Sequence, residues 1–292
     1  MPTLDSWKPG DVVQCLVVSL FKGGKTWGAG TFPRPNFIDA DFGIDTLRNP
    51  AWVEKYGLRS VMYEQFKELS RNNKGVVTTH NGFDDACRYF DTCMSATTKT
   101  WTYNGKTMSV NRDMFDTWVV DSGSSLSQLA ANKAIVLLGT DAFAGAKSNT
   151  HQQALNFGLV AEKKQDYGAE RSMIEQFIGM VKDSGKHVVF LCHEKVLTDD
   201  AGNVRGIVPL LTGKSVQVVP SMFHEVYHLI VKKSGPNIVR ELQTQPDLIR
   251  QCGSRIGVPN GTSWEWDALS GVIEKIRREQ AQTGNSQSSA KP

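Results

Sequence analysis

The sequence predicts an α/β protein with a central, mostly parallel sheet flanked by helices and carrying β-hairpin insertions. Three observations support this. Short apolar runs recur along the chain, segments with helical periodicity lie between them, and one apolar run opens into a glycine-rich turn that ends in Lys-Thr. Strands alternating with helices imply a layered α/β sandwich, and a strand feeding a glycine turn at a helix start is a place where backbone N–H groups can hold phosphate.

In chain order, QCLVVS (14–19), PNFID (35–39), TWVVDS (117–122), HVVFLC (187–192), SVQVVP (215–220) and EVYHLIV (225–231) read as strands. Most are apolar on both faces, the pattern of a sheet covered on both sides. Residues 50–72, 83–96 and 169–185 read as helices. In the last, Met173, Phe177, Met180 and Val181 share one face and Gly185 supplies the stop. Asn104-Gly105 between β-prone residues predicts a hairpin over 101–110, just ahead of TWVVDS. The turn DDAGNVRG (199–206) predicts a second ribbon. We find no internal repeat, so residues 1–280 are expected to form a single core, with 281–292 a disordered polar tail.

Composition narrows the function classes. With 292 residues, 40% hydrophobic and 22% charged, the chain can bury a sizeable core. No apolar stretch is long enough to span a bilayer, and no basic start precedes an apolar run, so a soluble, cytoplasmic protein is expected. Five cysteines without a CxxC pair argue against zinc or a disulfide framework. A net charge of +3 does not by itself indicate nucleic acid, which needs clustered charge.

The segment VVSLFKGGKT (17–26) matches a phosphate-binding loop except that Ser19 stands where the pattern opens with glycine. Ser19, Lys22, Gly23, Gly24, Lys25, Thr26 and Trp27 are therefore the expected nucleotide-binding residues, and Thr26 the expected metal-binding hydroxyl. Two further segments support the reading. TWVVDS ends an apolar strand in Asp121, as a magnesium-organising strand should, and FIDADFGID places Asp39, Asp41 and Asp45 at another strand end. Parallel strands would deliver these carboxylates to one carboxyl edge, where ligands bind.

FIDADFGID resembles the corresponding segment of RecA-like recombinases, and VVDSGSSL their second nucleotide-binding motif. QDYGAERSMIEQFI, HVVFLCHEKV and PLLTGKSVQVVPSMFHEVYHL are similar, in order and character, to compact RecA-like ATPases of tailed phages associated with single-strand annealing. The similarity runs from about Val12 to Asp267. It implies a RecA-like P-loop core that binds ATP with Mg²⁺, Lys25 and Thr26 at the β/γ-phosphates and metal, and Asp121 supporting the metal through water. Asp41 stands at the place of the glutamate that polarises the attacking water, one methylene shorter, which implies slow hydrolysis. Glu194 is an alternative base. His193 matches a polar sensor of the γ-phosphate, and a histidine merely capping its strand is the other reading.

The resemblance also implies partners. Arg255 resembles the finger arginine of hexameric relatives, although Gly253 stands where a lysine usually lies; Arg240 and Arg250 compete for the role. A finger in trans implies a homo-oligomer, ring or filament. Single-stranded DNA would be held by loops carrying Lys147, Lys163 and Lys164 and by the ribbon and loop bearing Arg205 and Lys214, with a single-stranded-DNA-binding protein as a further partner. A phage origin would place the protein in the bacterial host cytoplasm. Two alternatives stay open: a nucleotide-responsive scaffold with little hydrolysis, and a P-loop kinase, for which no arginine-rich lid stands out.

Overall fold

The computed structural model describes residues 12–57, 61–67, 70–71, 77–79, 81–143, 164–235 and 237–288. The chain enters the sheet at β1 (Gln14–Ser19) and turns into the short helix α1 (Lys25–Ala29). β2 (Pro35–Asp39) leads to α2 (Pro50–Tyr56) and β3 (Met62–Gln65), and β4 (Ser70–Arg71) and β5 (Val77–Thr79) pair with each other. After α3 (Gly82–Cys93) come the hairpin β6 (Lys99–Tyr103) and β7 (Lys106–Val110), then β8 (Thr117–Asp121), α4 (Gly123–Phe143) and α5 (Lys164–Asp183). β9 (His187–Thr198) folds back as β10 (Val204–Pro209), and α6 (Ser215–Ser221) precedes β11 (Glu225–Ser234). β12 (Asn237–Gln243), β13 (Gly253–Ser254), β14 (Thr262–Ser263) and α7 (Trp266–Ser288) complete the order.

The main sheet runs β14-β12-β11-β1-β9-β8-β2-β3. The pairs from β11 through β3 are all parallel, so β1 is central and β9 separates it from β8. Antiparallel strands β12 and β14 extend the β11 side, β13 also pairs with β11, and β10 hangs on β9.

Strand side chains alternate between faces, and the two cores follow that alternation. Leu16, Val18, Trp118, Val120 and Phe190 point to the face covered by α3, α4 and α5. Cys15, Val17, Phe37, Val119 and Leu191 point to the face holding Ala29 of α1, Trp52 of α2 and Leu269 of α7. Trp118 is fully buried, and burying a side chain of that kind contributes roughly 1.5–3 kcal/mol. The predicted hairpin forms, with Asn104 and Gly105 both at positive φ in its turn. It lies on the protein, not away from it: Trp101, Tyr103 and Val110 are buried in the first core, and the Trp101 indole donates to Glu64 Oε2 at 2.8 Å.

Two segments differ from expectation. SVQVVP is helix α6, not a strand; a short apolar run is ambiguous between strand and buried helix, and here Ser215 and Val219 are its buried residues. Residues 50–72 are not one helix, because Gly57, at φ 75°, stops α2 and the chain re-enters the sheet as β3. Helix α7 is described as far as Ser288. No described helix is long and apolar enough to cross a membrane.

Candidate nucleotide site

Strand parity and register build the site. Ser19 on β1, Asp39 on β2, Asp121 on β8 and His193 on β9 have the same parity as Val17, Phe37, Val119 and Leu191. All four therefore face the α1 side at the carboxyl edge, with Ser19 level with His193 and Asp39 level with Asp121. The alternative base Glu194 falls on the opposite pleat and is not among the residues lining the cavity there.

That cavity has a volume of about 590 Å³ and holds Lys22, Gly23, Gly24, Lys25, Thr26 and Trp27 of the predicted loop together with Asp41, Asp121 and His193. Its size suits a nucleotide-sized ligand. Ser19 ends β1 outside the left-handed region, whereas Lys22 and Gly24 have φ of 60° and 92°. The conformational demand of this loop thus lies at Gly24, and a serine at the opening position is no obstacle. The Ser19 hydroxyl is buried without a partner, packed where a Cβ on Gly23 would go.

Lys25 is 5% exposed. Its ammonium donates to Ser19 O at 3.3 Å, to Leu20 O at 3.1 Å and to His193 Nδ1 at 3.2 Å. Burial lowers its pKa, against the pull of Asp121, Cys192, Asp41 and Glu194. Because an ammonium only donates, Nδ1 accepts, and His193 Nε2–H donates to Asp41 Oδ2 at 2.8 Å. Ser125 Oγ donates to Asp41 Oδ1 at 3.2 Å, and Ser124 Oγ accepts the His193 backbone N–H at 3.0 Å. Burial alone would raise Asp41, but the hydrogen bonds from His193 and Ser125 and the charge of Lys25 outweigh it and hold the carboxyl below its ordinary range.

Thr26 Oγ1 donates to Asp121 Oδ2 at 2.6 Å. Asp121 is 1% exposed, and burial, with Asp39 and Asp41 adding, pushes it up to about 7. Asp39 is a structural carboxylate: it accepts from the backbone N–H groups of Asp41, Gly43 and Ile44 and from Gln65 Nε2, fixing the loop that presents Asp41. Thr26 and Asp121 are hard oxygen donors in contact, which fits Mg²⁺ held largely by substrate phosphates and water. Among the described residues no cluster of three or more His, Cys, Asp or Glu could hold a metal ion unaided.

The remaining predicted residues lie elsewhere. Arg255 is exposed, its backbone N–H on His224 O at 3.3 Å, at the amino end of β11 and so at the edge opposite the loop. Arg250 ion-pairs with Asp247 at 3.2 Å. Arg205 is exposed on β10 and pairs with Asp199 at 2.9 Å, and Lys214 is exposed ahead of α6. Lys147 and Lys163 lie outside the described residues, and Lys164 opens α5. Ser125 and Arg240 line or support the site without having been assigned to it from sequence. The hydroxyl-rich run after Asp121 is a signal for Ser125, while placing Arg240 needs the β11–β12 register.

The fold and site define an α/β P-loop domain with a nucleotide-sized cavity at the carboxyl edge of a mostly parallel sheet. Residues 13–249 match the AAA domain family, and the chain belongs to it. No curated protein matches the chain. Among solved structures it is similar to the RadB recombinase, at 13% identity over 85% of this chain and 84% of that one, with a TM-score of 0.44. It is also similar to a KaiC-like protein from the hyperthermophilic archaeon Pyrococcus horikoshii OT3, at 10% identity over 79% and 76% with a TM-score of 0.36. A third is the flagellar accessory protein FlaH from Methanocaldococcus jannaschii, at 11% identity over 82% of each chain with a TM-score of 0.35.

Proposed function

We propose that this protein binds ATP with Mg²⁺, hydrolyses it slowly or on stimulation by DNA, and binds single-stranded DNA in phage recombination or annealing. The observation that carries the reading is the convergence of Lys25, Thr26, Asp121 and the Asp41–His193 pair in one cavity at the carboxyl edge. Bound phosphate would draw the Lys25 ammonium off the Ser19 and Leu20 carbonyls, and the loop N–H groups would wrap its oxygens. Mg²⁺, held by Thr26 with Asp121 behind it, would neutralise phosphate charge. Asp41, held by His193 and Ser125, would accept the proton of the attacking water. A homo-oligomer is part of the proposal, with Arg255 free at the surface to meet a neighbour's site, and so is a role in the bacterial host cytoplasm.

The DNA contacts proposed are Lys147, Lys163, Lys164, Arg205 and Lys214, with a single-stranded-DNA-binding protein as an additional partner. Phosphate release from wild type and Lys25→Ala, with and without single-stranded DNA, tests the whole reading. Magnesium-dependent turnover that rises with DNA and vanishes in Lys25→Ala is expected; turnover indifferent to DNA removes the recombination role.

One observation favours the alternative of a nucleotide-responsive scaffold. Both oxygens of Asp41 already have protein partners, which leaves a water less well activated. Binding of ATP with turnover no faster than Asp41→Asn would establish the scaffold in place of the hydrolase.

A further inference from the structure

One cation in the cavity comes from the antiparallel edge of the sheet. Arg240 lies on β12 opposite Val231 of β11. Leu242, two residues along the strand, is buried in the α1-side core. Arg240 therefore faces the same side, but beyond the strand ends and over the loop. Its guanidinium carbon is 5.0 Å from the centre of the Trp27 ring. A Cβ on Gly24 would collide with Arg240 Nε and Cδ, so the arginine rests against the residue that precedes Lys25. Its Nε is buried without a partner. The other lining cations differ: Lys22 is exposed, and Arg48 is exposed and paired with Asp45 at 2.9 Å.

We propose that Arg240 acts in cis, closing its guanidinium over the phosphate chain of the nucleotide held by its own subunit and leaving the Trp27 face as it does so. The inference rests on the nucleotide-binding reading above. A buried donor without an acceptor is unfavourable, and a phosphate oxygen supplies the acceptor that the protein does not. The planar fork of an arginine suits two phosphate oxygens at once, and such a charge-assisted pair outcompetes contact with a ring face. Packed on its own Trp27 and Gly24, Arg240 is committed to its own pocket and is not the residue that reaches a neighbour's site.

The test titrates Mg-ADP and Mg-ATP into wild type, Arg240→Ala, Arg240→Met and Arg240→Lys, by calorimetry and tryptophan emission. Expected are a Kd weakened about tenfold or more in the Ala and Met variants and a smaller loss in Lys. An emission change on binding is also expected that is present in wild type and absent in Trp27→Phe. Met keeps the stem that packs on Trp27, so it separates phosphate contact from packing should Ala fail to fold. Wild-type affinity in Arg240→Met overturns the inference while leaving the nucleotide site standing, whereas no binding by wild type overturns both. Turnover restored by mixing Lys25→Ala with Arg240→Ala protein shows action in trans and also overturns it; no restoration is expected.

Discussion

His193 joins the lysine of the phosphate loop to the carboxylate proposed as base: Nδ1 accepts from Lys25 at 3.2 Å, and Nε2 donates to Asp41 at 2.8 Å. A phosphate that moves Lys25 therefore changes the hydrogen bonding of the histidine that holds Asp41. Asp41→Asn keeps the size of the side chain and removes its basicity. We expect Mg-ATP affinity within a few-fold of wild type and turnover reduced by about 10²–10⁴, read by single-turnover hydrolysis. A large loss of affinity with unchanged turnover would remove Asp41 from the chemistry.

Asp121 makes stability depend on pH. Its folded-state pKa of about 7 lies above the unfolded value of about 3.9, so in that window the folded protein keeps a proton that the unfolded chain has released. Stability of the ligand-free protein should fall as pH rises from about 4 to about 7 and then level off, by at most about 4 kcal/mol. Asp39, also raised by burial, adds in the same direction. Thermal melts should show the slope in wild type and a reduced slope in Asp121→Asn. Mg-nucleotide affinity should rise with pH over the same window, because the cation favours the ionised carboxylate.

Gly28 gives a prediction about packing. A Cβ there meets the Trp264 ring and carbonyl, and the same indole donates to Lys25 O at 3.0 Å. Gly28→Ala should destabilise the protein by about 1–3 kcal/mol and also weaken nucleotide binding, since relief requires Trp264 to shift away from the first residue of α1. Denaturation and titration together check it; a stability loss with untouched affinity would separate Trp264 from the loop.

The hairpin β6–β7 is pinned by the Trp101–Glu64 hydrogen bond, with Glu64 5% exposed. Glu64→Ala leaves the indole N–H unpaired in the core and should cost about 1–3 kcal/mol. Trp101→Phe in the same background should recover part of that loss, the signature of a coupled pair in a double-mutant cycle.

The strand-end positions of Ser19, Asp39, Asp121 and His193 are legible because buried parallel strands are marked by continuous apolar runs, each of which ends in its polar residue. The turn at Gly23 and Gly24 and the helix start at Lys25 and Thr26 are equally visible in the sequence. Arg240 could be named only as one of three candidate finger arginines, because its position depends on the antiparallel register of β12 on β11, which no local pattern encodes. Helix α6 was misread for a related reason: SVQVVP carries β-branched residues whose strand preference the packing of Ser215 and Val219 overrides. Glu194 follows His193 on β9 and so lies on the opposite pleat, a placement the strand pattern alone also gives. The serine run after Asp121 hints at Ser125, but the holding of both Asp41 oxygens by His193 and Ser125 depends on which strand ends meet, which no local pattern encodes.

The proposed function depends first on the loop around Lys25 being a working nucleotide cradle. Calorimetric titration of Mg-ATP into wild type and Lys25→Ala tests it most directly. Saturable binding by wild type is expected, with an affinity weakened about tenfold or more in the variant, the loss of a charge-assisted contact. No binding by wild type, or equal binding by both proteins, would contradict it.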